Sequence, residues 1–257
     1  ILILENKVVV VTGGAGLLGK VFVKEILISG GVAILTDIKT TSAKGFINEM
    51  KRDYPNHFYA TNMDITKKSS INSVIKIVSK RFGGIDCLVN NAYPKNKNYG
   101  KQIEDVSYRD FSDNLSTHVG GYFLTSQQFG IFFKNHKGGN IINMGSVYGT
   151  LPPRFQIYKN TEMTLPVEYS SIKASIIQMT KYFAQYFKKD NIRVNCLSPG
   201  GIKDNQPKAF ISAYNSFCSK KGMLDPNDVA NTLVFLISDS SKFITGQNLI
   251  IDDGFSL

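Results

Sequence analysis

A glycine-rich turn near the start of the chain constrains the fold more than any other feature of the sequence. In VTGGAGLLGK (residues 11–20), Gly13, Gly16 and Gly19 are spaced three residues apart. The apolar run 8–11 precedes the turn, and an amphipathic segment follows it. The order strand, tight turn, helix directs free backbone N–H groups and the positive helix end at one point, which favours phosphate binding. The alternative interpretation is that the glycines only allow a turn whose backbone has a positive φ, and that the turn binds no phosphate.

Apolar runs alternate with amphipathic segments along the whole chain of 257 residues. The predicted strands span 7–12, 32–36, 57–60, 86–90, 139–144, 192–197 and 247–252, and the clearest helix covers 71–82. This alternation is typical of a parallel sheet with helices on both faces, and right-handed crossovers make such a sheet doubly wound. We therefore predict one α/β domain over residues 1–257, with a seven-stranded, doubly wound parallel sheet. The irregular stretches 93–103 and 149–168 follow strands, so they lie at the carboxyl edge where ligands bind.

Composition argues against several other classes of protein. No apolar run approaches the roughly 18 residues of a membrane span. The lysines behind the net charge of +10 are scattered, so nucleic acid is not an expected partner. Cys87, Cys196 and Cys218 lack the spacing of metal ligands. We therefore expect reduced thiols, no metal site and a cytoplasmic location.

An acidic residue after the second predicted strand favours NAD over NADP as a ligand of the turn. Asp37 lies 24 residues after Gly13, where a carboxylate can bond both ribose hydroxyls and repel a 2′-phosphate. Lys39 could instead receive that phosphate, and Asp37 could instead cap a helix predicted over 41–53.

Three polar clusters follow the later strands. NNAY (90–93) ends the fourth predicted strand, NMGSVYG with Ser146 ends the fifth, and YSSIK (169–173) opens a helix. Tyr169 and Lys173 are four residues apart, so they share one helix face. There an ammonium group can stabilise a phenolate and lower the pKa of the tyrosine. Such a tyrosine can exchange a proton with an alcohol or a carbonyl, whose oxygen Ser146 would hold.

Together with RVNCLSPGG (193–201) and ITGQNLIIDDG (244–254), these motifs resemble the short-chain dehydrogenase/reductase family nearly from end to end. The resemblance implies a Rossmann-like fold, a nicotinamide cofactor, and hydride transfer to or from a substrate carbon. It implies catalytic roles for Ser146, Tyr169 and Lys173, and places Asn90 beside the cofactor. The cofactor-binding residues that it implies are Gly13, Gly16, Leu17, Leu18, Gly19, Asp37, Asp64, Ile65, Asn91, Ala92, Tyr169, Lys173, Pro199, Gly200 and Ile202.

The sequence departs from the family pattern at four points. The glycine spacing is that of the extended branch, which includes sugar-nucleotide epimerases and dehydratases. Ser146 and Tyr169 are 23 residues apart, more than in the short form, so TLPPRFQIYKNTEMTLP (150–166) predicts a loop inserted over the active site. Tyr93 stands where glycine is usual and could narrow the pocket.

The fourth departure is His118, in HVGGYFL, where the family usually has an asparagine that orders a relay water. We expect His118 to join the catalytic set by carrying this relay through a ring nitrogen. The alternatives are that His118 only packs in its helix, or that Asn114, one turn earlier, takes the role.

Basic and polar loops favour a polar, anionic, sugar-derived substrate, such as a phosphorylated sugar or a sugar nucleotide. Random scatter of lysines is the alternative. The inserted loop and PGGIKDNQP (199–207) are also similar to family members of bacterial surface-sugar and flagellin-glycan pathways.

A helix over 207–221 is predicted to cover the substrate, and long apolar-rich helices at 104–135 and 166–189 predict a homodimer or homotetramer. The residues expected to frame the pocket are Lys95, Lys97, Lys101, Arg154, Lys159, Lys203 and Lys208.

Three functions follow from these observations. The first is an NAD-dependent oxidoreductase. The second is a sugar-nucleotide epimerase or dehydratase with tightly held NAD, although only 57 residues follow Gly200, too few for a substrate domain. The third is a non-catalytic module that senses the cofactor or binds a partner.

Overall fold

Seven parallel strands form a single sheet in the structure, a computed structural model that describes residues 3–257. The strand order is β3-β2-β1-β4-β5-β6-β7. The predicted α/β, doubly wound fold and all seven predicted strands are therefore confirmed. The strands are β1 (Val8–Thr12), β2 (Val32–Asp37), β3 (Phe58–Asn62), β4 (Cys87–Asn90), β5 (Gly139–Met144), β6 (Ile192–Pro199) and β7 (Asn248–Ile251).

Helices cover both faces of this sheet and bury two separate apolar cores. Helices α1, α2 and α7 pack on one face, and α3, α4 and α5 pack on the other. Alternate residues of β1 supply the two cores, with Val9 and Val11 on one face and Val8 and Val10 on the other. The helices are α1 (Leu17–Ile28), α2 (Lys44–Asp53), α3 (Lys68–Phe82), α4 (Tyr108–Lys134), α5 (Val167–Tyr186), α6 (Lys208–Asn215) and α7 (Pro226–Ile237).

The helix predicted over 207–221 is shorter in the structure, because α6 ends at Asn215. The following backbone finds other partners. The N–H group of Ser219 donates to the Asp253 carbonyl, and the N–H groups of residues 220–222 donate to the Asp253 carboxylate. Gly222 has a φ of +83°, which a helix does not allow. Residues 216–218 still bond back to the end of α6, and contacts with Asp253 hold the backbone from Ser219 onward.

Among residues 3–257, no helix is long and apolar enough to cross a membrane.

The glycine turn joins β1 to α1 and leaves no room for a side chain at Gly13 or Gly19. Gly13 has a φ of +63°, and a Cβ atom there would lie 2.6 Å from the Ala92 Cα atom. A Cβ atom on Gly19 would lie 2.2 Å from the Gly13 carbonyl oxygen. Gly16 precedes the first residue of α1 and offers no side-chain cap, so the first N–H groups of the helix stay available. Gly19 thus serves close packing behind the turn.

We expect Gly19→Ala to lower the free energy of unfolding by about 2 kcal/mol, because the new methyl group overpacks against the turn. Gly45→Ala in α2 is the matched control, since nothing lies within 4 Å of a Cβ atom there. That change should raise the free energy of unfolding by about 0.5–1 kcal/mol. Urea denaturation measures both. Equal stability of the two variants would contradict the packing role of Gly19.

Candidate active site

A cleft of about 830 Å³ crosses the carboxyl edge of the sheet. Its floor includes the ends of β1 and β4, where the strand order reverses, and open α/β folds bind ligands at this point. The structure brings most of the predicted site residues to its wall. Those residues are Gly13, Gly16, Leu17, Leu18, Asp37, Asp64, Ile65, Asn91, Ala92, Ser146, Tyr169, Lys173, Pro199, Gly200 and Ile202. Gly19, Asn90 and His118 do not line the cleft.

Asp37 ties the glycine turn to the end of β2. Its carboxylate accepts hydrogen bonds from the Ala15 N–H group at 3.2 Å and the Lys39 N–H group at 3.4 Å. These contacts rule out the alternative role as a cap of the helix α2, which begins at Lys44 after a separate short turn. Asp37 still lines the cleft, so its carboxylate remains beside the space that a ribose would occupy.

Asn91 fixes the opposite side of the same turn. Its side-chain amide donates to the carbonyl oxygens of Thr12 and Gly13 at 3.0 and 3.1 Å. Asn90 lies deeper and bonds the side chains of Ser126 and Asn143. The residues present fit a dinucleotide. The turn after β1 exposes backbone to a phosphate, and Asp37, at the end of the neighbouring strand β2, lies where a ribose would follow.

Ser146, Tyr169 and Lys173 all line the inner part of the cleft. The Lys173 ammonium donates to the Met144 carbonyl oxygen at 2.8 Å and lies 5.6 Å from the centre of the Tyr169 ring. Burial lowers the pKa of Lys173 to about 8. Burial also raises the pKa of Tyr169, and a hydrogen bond from Ser146 lowers it in part. The pKa of Tyr169 is therefore not lowered overall as the spacing predicted, because the burial outweighs the neighbouring groups.

Tyr93 narrows the cleft beside this group, as expected from its place in the sequence. Its ring meets the Tyr169 ring edge-on at 6.0 Å between centres and lies 5.8 Å from the Lys173 ammonium. The Tyr93 hydroxyl donates to the Tyr99 hydroxyl at 2.7 Å. A side chain at this position thus forms one wall around Tyr169, where glycine would leave space.

His118 is fully buried behind that wall. Its ring packs between Tyr93 and Tyr122, with ring centres 5.3 and 5.0 Å away. Neither ring nitrogen has a hydrogen-bond partner among residues 3–257. Burial, and then the charge of Lys173, hold the pKa of His118 well below its usual value, so the imidazole is neutral. Asn114 instead accepts a hydrogen bond from the Asn96 N–H group and donates to Glu168.

The inserted loop folds into the cleft wall together with α6 and the segment 252–257. It contains a short 3₁₀ turn, Phe155–Tyr158, and the Tyr158 ring packs against Phe210 of α6. Tyr214 of α6 stacks on Phe255 at 4.1 Å between ring centres. Sequence reasoning missed the aromatic and apolar wall that results; the apolar face predicted in 207–221 was its only signal. The residues of this wall that line the cleft are Tyr148, Tyr158, Met163, Leu165, Phe210, Tyr214 and Met223.

The basic frame expected around the pocket is wrong. None of the seven basic residues predicted to frame it lines the cleft. Arg154 instead donates to the carbonyl oxygens of Phe255 and Leu257, and its guanidinium lies 4.6 Å from the Phe217 ring. Lys203 pairs with Asp225 at 3.9 Å. The Lys95 ammonium stays near the rim, 5.8 Å from the centre of the Tyr93 ring, without lining the cleft.

A family model described as enoyl-(acyl carrier protein) reductase matches residues 18–256. A short-chain dehydrogenase from Leptospira borgpetersenii, solved with bound NAD⁺, is 33% identical, with a TM-score of 0.84 over 99% of this chain and 94% of that one. The chain belongs to the short-chain dehydrogenase/reductase family. It is accordingly an enzyme of this family, an oxidoreductase that uses NAD(P).

Two further relatives have names that point to different processes. A post-translational flagellin modification protein A from Campylobacter coli is 42% identical over 255 residues, which cover 99% of this chain and 100% of that protein. A 7alpha-hydroxysteroid dehydrogenase from Bacteroides fragilis is 29% identical over 98% of this chain and 95% of its own length.

We expect Lys173→Met to be more stable than the wild type at pH 7, by up to about 3 kcal/mol, although it removes a proposed catalytic group. Unfolding returns the amine from a pKa of about 8 to its usual 10.5, so below pH 8 the folded protein bears the cost of a buried charge. That cost vanishes as the pH rises from 8 to 10.5, because the folded amine loses its proton first.

Calorimetric melting temperatures between pH 7 and 10.5 measure this effect. Lys181→Met, at an exposed position on the same helix, is the control and should show no such trend. A stability gain that does not shrink as the pH rises would show that the Lys173 charge is not the cause.

Proposed function

We propose that this enzyme transfers a hydride between NAD and a hydroxyl or keto group of a sugar-derived substrate, with Tyr169 as the acid and base. The observation that carries the proposal is the convergence of Ser146, Tyr169 and Lys173 between the glycine turn and the aromatic wall of one cleft.

Each of these side chains has a distinct part in the proposed reaction. The bound cofactor supplies or accepts the hydride. Ser146 holds the reacting substrate oxygen through its hydroxyl group. Tyr169 takes a proton from an alcohol or gives one to a carbonyl oxygen. Lys173, bonded to the Met144 carbonyl, stabilises the phenolate through its positive charge.

The wall of the cleft supports a sugar ring as the substrate body. Tyr148, Tyr158 and Tyr214 are largely buried in this wall, so they offer the cleft ring surface, which suits the apolar side of a sugar, rather than free hydroxyl groups. The relative named as a flagellin modification protein supports the same class. Among the described residues of the cleft wall, Lys173 is the single basic side chain. The proposal therefore no longer requires an anionic group on the sugar.

His118 is proposed as part of the proton relay behind Lys173. A neutral imidazole can accept a proton at one nitrogen and donate from the other. The unsatisfied ring nitrogens of His118 support this role over simple packing.

A homodimer or homotetramer is proposed, with an interface on the outer faces of α4 and α5. Phe123 and Ile131 on α4, and Tyr182 and Tyr186 on α5, are large apolar side chains that remain exposed. Such a patch suits a two-fold interface between long helices. Free thiols at all three cysteines support a cytoplasmic location.

We expect Tyr169→Phe to lower kcat by at least about a thousandfold, because it removes the proton-transferring hydroxyl. The dissociation constant of NAD should stay within about twofold. The assay follows absorbance of the reduced cofactor with a panel of hexoses, hexose phosphates and nucleotide sugars. Tyr108→Phe, at an exposed position outside the cleft, is the control. Undiminished turnover in Tyr169→Phe would refute the assigned role.

The same assay distinguishes the proposed oxidoreductase from the alternative function, an epimerase or dehydratase with tightly held NAD. The extended-type spacing of Gly13, Gly16 and Gly19 is the observation that favours it. Protein that purifies with one equivalent of NAD and converts a sugar without net reduced cofactor would establish that alternative.

We expect Asp37→Ser to improve NADP binding by about tenfold relative to NAD, because the substitution removes a carboxylate that repels the 2′-phosphate. Fluorescence titration with each reduced cofactor measures the ratio. Adding Lys39→Ala to this variant tests whether Lys39 receives the phosphate, in which case the gain is lost. An unchanged cofactor ratio in Asp37→Ser would argue against Asp37 as the selecting residue.

A further inference from the structure

The backbone turn after β6 borders the end of the cleft that holds the catalytic side chains. Strands β5 and β6 are hydrogen-bonded neighbours. Ser146, just after β5, and Pro199, the last residue of β6, therefore reach the same edge of the sheet. Gly200 and Gly201 follow Pro199, and both line the cleft. The conformation of this short turn thus shapes the space beside the reacting groups.

The order of the strands gives the direction in which a dinucleotide would extend. Asp37 ends β2 and the glycine turn follows β1, so the adenosine ribose and the phosphates belong to one end of the cleft. In the proposed reaction the other end of the cofactor must reach Ser146, across β4 and β5 toward β6. The nicotinamide ring then belongs beside the turn formed by Gly200 and Gly201.

Tyr214 of α6 holds this turn from the protein side. Its hydroxyl oxygen accepts a hydrogen bond from the Gly201 N–H group at 2.6 Å. A Cβ atom on Gly200 would lie 2.7 Å from that oxygen, and one on Gly201 would lie 2.9 Å from the Tyr214 ring. The Gly201 carbonyl in turn accepts from the Leu224 N–H group at 2.8 Å. The absence of side chains at both glycines therefore lets the turn lie directly against Tyr214.

Arg154 of the inserted loop fixes the other face of Tyr214 through Phe255. The Tyr214 and Phe255 rings are stacked, with centres 4.1 Å apart and planes 2° from parallel. The Arg154 guanidinium donates to the carbonyl oxygens of Phe255 and Leu257 at 3.2 and 3.0 Å, and it lies 5.4 Å from the centre of the Phe255 ring. None of the ion pairs within residues 3–257 includes Arg154. Its contacts are thus directed at the segment that supports Tyr214.

We propose that Tyr214 is a positioning residue for the nicotinamide ring of the cofactor, and that Arg154 keeps Tyr214 in place through Phe255. The inference rests on the proposed function, in which the reacting end of the cofactor lies beside the catalytic side chains. The Tyr214 hydroxyl fixes the Gly201 N–H group, and with it the turn, before the cofactor binds. A turn that is already ordered loses less conformational entropy on binding than a free one does. The inserted loop thereby acts on the cofactor as well as on the substrate wall.

Tyr214→Phe tests the proposal, because it keeps the stack on Phe255 and removes only the acceptor for the Gly201 N–H group. Two ligands separate the ends of the cofactor. ADP-ribose has the adenosine, phosphates and second ribose of NADH but no nicotinamide ring. We expect the dissociation constant of NADH to rise about fivefold in this variant, and that of ADP-ribose to change less than about twofold. Isothermal titration calorimetry measures both constants.

A second variant and a control extend the test. Arg154→Met keeps a long apolar side chain but loses the bonds to the two carbonyl oxygens. It acts one contact further from the turn, so we expect the dissociation constant of NADH alone to rise, by about threefold. Tyr122→Phe is the matched control. Tyr122 is as buried as Tyr214, but it does not line the cleft, and its hydroxyl has no partner among residues 3–257. This change should leave both constants at their wild-type values.

An unchanged dissociation constant of NADH in Tyr214→Phe overturns the proposal. Equal weakening of NADH and ADP-ribose also overturns it, because such a result shows a general disturbance of the fold. The proposed function fails by a different result. If wild type binds NADH but converts no sugar of the panel, the proposed reaction is wrong, whereas the comparison of NADH with ADP-ribose still decides the role of Tyr214.

Discussion

Close contact between backbone segments at the glycine turn is the constraint on which the cleft depends. Gly13 approaches Ala92 so closely that no side chain fits between β1 and β4. The Asn91 amide bonds the turn from the side of β4, and the Asp37 carboxylate bonds it from the side of β2. These contacts fix three strand ends relative to one another. The phosphate-binding turn and the acidic selector therefore belong to one rigid edge of the sheet.

The second organising feature is the burial of ionisable groups next to this edge. Among residues 3–257, the Lys173 ammonium donates to one acceptor, the Met144 carbonyl, and the pKa of its amine falls to about 8. In the nearby contact between α4 and α5, Glu168 accepts one hydrogen bond, from Asn114, and the His118 ring has no partner among residues 3–257. Low polarity strengthens electrostatic effects between such groups, and it makes each unsatisfied atom expensive. The chain accepts this cost in the contact between α4 and α5, while the two apolar cores supply the stability.

The inserted loop determines the character of the remaining cleft. Arg154 bonds the carbonyl oxygens of Phe255 and Leu257, so the loop and the segment after β7 hold each other. Tyr158 packs on Phe210, and Tyr214 stacks on Phe255. The result is an aromatic chamber in a chain of net charge +10, with most of the cations directed outward. The positive charges of the protein and the aromatic wall of the cleft are thus separated in space.

The sequence by itself determined the features that depend on local spacing. Strand positions followed from runs of apolar residues, the turn from the spacing of Gly13, Gly16 and Gly19, and the pairing of Tyr169 with Lys173 from one turn of helix. Only the tertiary structure decided which side chains meet across distant segments. It bound the backbone of 219–222 to Asp253, turned Arg154 away from the cleft, and buried His118 behind Tyr93. Local spacing fixes backbone conformation, but burial and hydrogen-bond partners are set by segments that are far apart in sequence. No spacing rule encodes these contacts.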